Sequence, residues 1–100
     1  MQVLPIQADI SADGDNMATA AKVVRQAAET FGGIDVLVNN AQASASGVTL
    51  ADHTLEQFNL ALYSGLYATF HYMQAAYPYE NNVCCGFVIY SFDYVEVCSF

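Results

Sequence analysis

Positive charge is nearly missing from this sequence: Lys22 and Arg25 stand against ten acidic residues, for a net charge of −8. That balance repels phosphate backbones and argues against nucleic acid as a partner. It equally disfavours an anionic membrane surface. No uninterrupted apolar run reaches the roughly 18 residues of a membrane span, and the apolar tail from Val83 to Phe100 is broken by Asp93 and Glu96. No basic region leads into an apolar core at the N-terminus, so no signal peptide is expected. Cysteine is scarce and odd in number: Cys84, Cys85 and Cys98. Adjacent cysteines rarely satisfy disulfide geometry with each other, so reduced thiols in the cytoplasm are expected. These thiols share no recognised ligand spacing with His53 or His71, and no metal site is expected. Glycine is present in ordinary number but is not clustered in threes. No three of Gly14, Gly32, Gly33, Gly47, Gly65 and Gly86 form the turn that cradles a pyrophosphate at a helix N-terminus.

What is present is apolar. Hydrophobic residues make up 55% and charged residues 12%, which excludes a disordered chain, and 100 residues suffice for one small domain. The organising stretch is Gly32-Gly33-Ile34-Asp35-Val36-Leu37-Val38-Asn39-Asn40-Ala41. It reads as a turn, a short strand over 34–38 covered on both faces, and an abrupt polar stop. Asn39-Asn40 has two readings: a strand-ending turn, since Asn bonds its own backbone, or a ligand edge at the carboxyl end of a parallel strand.

Around this stretch the spacing predicts a strand over 3–9, with Pro5 confining it to its start or an edge. A helix over 13–31 follows, with its apolar stripe at Met17, Ala20, Ala21, Val24, Ala28 and Phe31. Lys22 and Arg25 fall off that stripe and should face solvent. After a polar loop from Ala43 to Leu50, Thr54-Leu55-Glu56-Gln57 forms a capping box that opens a helix over 54–77. Its stripe is Leu55, Phe58, Leu62, Leu66, Thr69, Met73 and Ala76, with Tyr63, Tyr67, Phe70 and Tyr77 on a second, aromatic face. A helix apolar on two sides is either buried between layers or a contact between subunits. Tyr63, Tyr67, Tyr72 and Tyr77 are read as packing residues, His53 as exposed, and His71 as helix surface or interface. A strand over 83–90 ends the regular pattern. The fold expected is α/β, a β-α-β-α-β piece of a doubly wound parallel sheet in one domain spanning 1–100, with 79–100 a divergent tail.

Phe31-Gly32-Gly33-Ile34-Asp35-Val36-Leu37-Val38-Asn39-Asn40-Ala41 resembles the strand and Asn-Asn-Ala-Gly signature of the short-chain dehydrogenase/reductase family, with Gln42 where the family usually has Gly. The resemblance covers roughly 3–78. It implies a Rossmann-like sheet, an NAD or NADP cofactor and a small-molecule hydroxyl or carbonyl substrate. It also makes Asp9 and Ile10 candidate adenine contacts, where Asp9 would otherwise be a cap or turn former. Asn40 and Ala41 become candidate cofactor-lining residues, and the 54–77 helix a candidate homo-oligomer contact.

The resemblance also marks gaps. The family's Tyr-x-x-x-Lys pair is absent, because Lys22 is the only lysine and stands in another context. That pair is expected beyond Phe100, and the glycine-rich turn before Met1. The active-site Asn of the family falls at Gly65. Its substrate-orienting Ser falls at Asp93, which donates only when protonated. No catalytic residue is assigned. The expectation is a central fragment of a nicotinamide-dependent oxidoreductase, inactive alone. The alternative is a non-catalytic interaction module built on the 54–77 helix.

Overall fold

The computed structural model describes residues 2–11, 15–79, 88–91 and 95–99. In chain order the elements are strand β1 (Gln2–Ile6), helix α1 (Asn16–Phe31), strand β2 (Asn39–Ala41), helices α2 (Leu55–Ala61) and α3 (Ala68–Ala76), and strands β3 (Val88–Ser91) and β4 (Val95–Ser99). A π-helical segment, Leu62–Tyr67, joins α2 to α3, and 3-10 turns occupy Leu50–Asp52 and Tyr77–Tyr79. Asp13, Gly14, Val83, Cys84, Cys85, Gly86, Phe87 and Asp93 lie outside the described residues, so the expectations placed on them, including the start of the 83–90 strand, have no counterpart here.

The composition is α/β, but the strands form two separate two-stranded ladders. In one, β2 runs parallel to β3, with Asn39 opposite Val88 and Ala41 opposite Ser91. The helical stretch from 55 to 76 lies between them in sequence, which is the β-α-β connection parallel strands require. In the other, β1 runs antiparallel to β4, Gln2 opposite Ser99 and Ile6 opposite Val95. The parallel pairing expected between 3–9 and 34–38 is therefore corrected. Regular strand ends at Ile6, and 34–38 contributes only an isolated bridge at Ile34, whose N–H donates to the Tyr79 carbonyl at 3.1 Å. Val36 and Val38 are 60% and 57% exposed. An apolar run becomes a buried strand only when neighbours cover it, and none of the described strands lies alongside this one.

Helix α1 begins where the Asp15 carboxylate accepts the Ala18 N–H at 3.1 Å. It ends at Gly32, whose φ of 86° is the left-handed conformation that closes a helix through its N–H to the Ala28 carbonyl. Lys22 and Arg25 face solvent as expected. The buried stripe is Ala20, Val23, Val24, Ala27 and Ala28, rotated from the expected one: Met17 and Ala21 are exposed. The core joins Ala20, Val23 and Val24 to Tyr72 and Ala76 of α3, with Ile6, Ala8, Ile10, Ile34 and Leu37 packed around them.

The capping box forms as read, Gln57 N–H to Thr54 Oγ1 at 3.2 Å and Thr54 N–H to Gln57 Oε1 at 3.0 Å. The uninterrupted 54–77 helix is corrected, because the π segment inserts residues into the turn. One extra residue swings everything after it by about 100°. From the segment onward the buried line is Ser64, Ala68, Tyr72 and Ala76, and Leu66 and Met73 of the expected stripe are exposed; Leu55 and Phe58, ahead of the segment, are exposed too. Among the described residues no helix is long and apolar enough to cross a membrane.

Candidate functional site

The Asn-Asn-Ala motif is strand, not turn: Asn39, Asn40 and Ala41 are β2 itself, half-buried and paired in parallel. Chain leaving β2 at Gln42 and Ala43 therefore stands at the carboxyl end of a parallel pair, the edge where open α/β sheets bind ligands.

Two contacts fasten that edge to the π segment. Ser64, 1% exposed, accepts the Ala43 N–H at 2.9 Å, and its hydroxyl proton has the Leu60 carbonyl at 2.7 Å and the Ala43 carbonyl at 3.0 Å within reach. One residue on, the side chain of Gln42 lies across Gly65. A Cβ there would stand 2.9 Å from Gln42 Nε2 and 3.2 Å from its Cδ, the first closer than real Cβ atoms come. A side chain at 65 would therefore have to push aside the flexible end of Gln42.

Asp9 and Ile10 lie past the end of β1. The Asp9 carboxylate accepts the Ser11 N–H at 2.8 Å, forming a local turn. The Ser11 backbone N–H and then its hydroxyl hold the exposed Asp9 carboxyl below its ordinary value, against a small opposing effect of burial. Ile10 packs on the core, and its carbonyl accepts from Asn16 Nδ2 at 3.2 Å.

Asn16 was not singled out in the sequence, and it links three elements. Its Nδ2 also donates to the Tyr63 carbonyl in the π segment at 3.0 Å, while its Oδ1 is buried without a partner among the described residues. It borders a cavity of about 300 Å³ with Asp15, Met17, Tyr63, Tyr67 and His71. The rings of Tyr63 and Tyr67 stand 5.0 Å apart there, tilted by 54°. His71, expected at the helix surface or an interface, is half-buried, and its Nδ1 has no partner among the described residues. Partnerships across 47 residues leave no periodic trace, so only the polarity of Asn16 at a helix start hinted at it.

The family model that matches is described as enoyl-(acyl carrier protein) reductase and covers residues 2–98. The chain is also similar to a 12alpha-hydroxysteroid dehydrogenase of Clostridium sp. (strain ATCC 29733 / VPI C48-50), 47% identical over 79 residues. That alignment takes in 79% of this chain and 30% of the dehydrogenase, so the chain spans less than a third of that relative's length.

Proposed function

The chain belongs to the short-chain dehydrogenase/reductase family, and from that premise we propose that it forms part of the nucleotide cleft of an NAD- or NADP-dependent oxidoreductase acting on a hydroxyl or carbonyl substrate. The observation that carries this reading is β2: Asn39-Asn40-Ala41 forms a strand paired in parallel with β3, and the carboxyl ends of parallel strands are where open α/β sheets bind ligands. By the family's pattern, Asn40 and Ala41 would border a dinucleotide at the end of β2 and Asp9 with Ile10 would meet its adenine; Asp9 has an exposed carboxylate, whereas the Ile10 side chain packs on the core, and β1 and β2 stand in separate ladders. A glycine-rich cradle for the pyrophosphate is not encoded in this chain. When bound, the nicotinamide would supply the hydride acceptor or donor. The work left to these residues is binding and orientation. A Rossmann-like parallel sheet in the assembled enzyme and a cytoplasmic setting belong to the same proposal, and the name of the similar dehydrogenase puts hydroxysteroids first among the substrates to try.

A hydride-transfer enzyme of this family also needs an acid that passes a proton to the substrate oxygen. The chain has no Tyr-x-x-x-Lys pair, and Gly65 has no side chain to relay a proton. The purified chain is therefore expected to bind nicotinamide cofactor weakly and to turn nothing over. Calorimetric titration with NADH and NADPH tests the binding, and absorbance at the nicotinamide band with a hydroxysteroid tests the inactivity. Absence of any binding heat removes the cofactor assignment, and sustained turnover removes the claim of inactivity. The match across 2–98 favours this reading over a non-catalytic module.

A further inference from the structure

The cavity of about 300 Å³ at the start of α1 is walled by Asp15, Asn16, Met17, Tyr63, Tyr67 and His71, none of them assigned above to the cofactor. One feature of that wall points to a ligand. Asn16 is 5% exposed, yet its Oδ1 has no partner among the described residues. Its Nδ2 is held by the Ile10 and Tyr63 carbonyls, so the amide cannot turn over and the Oδ1 stays an acceptor. An enclosed acceptor keeps the cost of leaving water until a donor reaches it. His71 Nδ1, also without a partner among the described residues, accepts in one imidazole tautomer. Met17 is exposed, and its unbranched chain can swing aside to admit a donor.

The wall also selects a charge. Tyr63 and Tyr67 are exposed, with ring centroids 5.0 Å apart, and the face of a tyrosine ring attracts a cation. The exposed carboxylate of Asp15 sets a full negative charge against roughly half a positive charge at a helix start. Neither Lys22 nor Arg25 is in the wall, and a net charge of −8 draws cations towards the chain. We propose that this cavity binds a small arylalkylammonium ion. The ammonium is held by Asp15 and the Asn16 acceptor, and the aryl ring lies against Tyr63 and Tyr67. The assignment stands on the cavity alone and not on the nucleotide reading.

The test is a titration of 2-phenylethylamine, a cation at neutral pH, into the 100-residue chain, followed by ¹⁵N NMR and calorimetry. Its neutral and anionic counterparts, 2-phenylethanol and phenylacetate, are titrated alongside. The expected result is that the Asn16 side-chain NH₂ and the Met17 amide shift with the amine. The alcohol should bind more weakly and phenylacetate not at all, and salt should weaken binding of the amine. Asp15→Asn keeps a capping side chain without the charge. It should weaken the amine up to about fivefold and flatten the salt dependence. Tyr67→Leu should weaken it about two- to fivefold with unchanged circular dichroism. A twentyfold excess of NADH should leave the amine bound. Equal binding of all three compounds overturns the proposal, as does a response to the amine that leaves Asn16 and Met17 unmoved, or none at all. These outcomes are read on the unaltered chain, so a variant that misfolds does not decide the matter. Displacement of the amine by NADH places it on the nucleotide site and also overturns the proposal. Amine binding without any response to NADH supports it and removes the cofactor reading.

Discussion

Tyr72 sits at the centre of the α1–α3 core, 4% exposed, with its hydroxyl buried and unpartnered among the described residues. A buried hydroxyl without a partner keeps the cost of leaving water. Replacing it with phenylalanine keeps the ring and removes that cost, so Tyr72→Phe should raise stability by about 1 kcal/mol in urea unfolding. The same burial pushes the Tyr72 phenol up to about 12 from 10.0. A folded value above the unfolded one means that the unfolded chain loses its proton first. Stability from this group is complete below pH 10 and falls away between about pH 10 and 12. Urea midpoints compared at pH 9 and pH 11 should therefore drop less for Tyr72→Phe than for the wild type. An equal drop would show that Tyr72 ionises freely in the folded chain. Spacing assigned Tyr63, Tyr67, Tyr72 and Tyr77 alike to packing, yet only Tyr72 is enclosed, and Tyr77 is 74% exposed. That depends on where the turns of the helix fall.

Between α2 and α3 a six-residue π segment changes which side of the helix is buried. Local signals were legible where Thr54 meets Gln57 and where Gly32 stops α1, both within four positions, whereas the helix expected from residue 13 starts only at Asn16, with Asp15 as its cap. The π segment depends on partners elsewhere. Ser64 reaches Ala43, 21 residues away, and Asn16 reaches Tyr63, 47 residues away. Reading apolar spacing through 62–67 at a constant helical period therefore placed the stripe on Leu66 and Met73 instead of Ala68 and Tyr72. The candidate edge was legible at Asn40 and Ala41 because the motif is contiguous, and illegible at Ser64 because its contact with Ala43 needs the third dimension. Ser64→Ala should cost about 1–3 kcal/mol, since it strands the Ala43 N–H, whereas an exposed cap substitution, Thr54→Ala, should cost about 1 kcal/mol. Hydrogen exchange separates the two: the Ala43 amide should lose protection in Ser64→Ala and keep it in Thr54→Ala. Equal protection in both would mean that the clamp contributes nothing to the edge.

At the scale of the whole chain, the apolar surface left uncovered follows from the two separate ladders. Val36 and Val38 are exposed where the sequence called for a buried strand, and Leu66, Phe70, Met73 and Tyr77 are exposed at spacings of four, three and four along the helix. Those spacings put all four on one side of a helix. A continuous apolar strip of this kind on a soluble surface marks an interaction site or an aggregation hazard. A net charge of −8 opposes indiscriminate association, which leaves a defined pairing along the strip as the outcome we expect. Light scattering of the purified chain should give a mass above 10.8 kDa, near that of two chains. Phe70→Lys, placed mid-strip on an exposed position, should return it to the monomer mass without changing its circular dichroism. Raising the ionic strength should strengthen pairing of the wild type, because it screens the repulsion between like-charged copies. A wild-type chain that stays monomeric at high concentration and high salt would show that the strip is tolerated exposure, and that the helix has no second copy to meet.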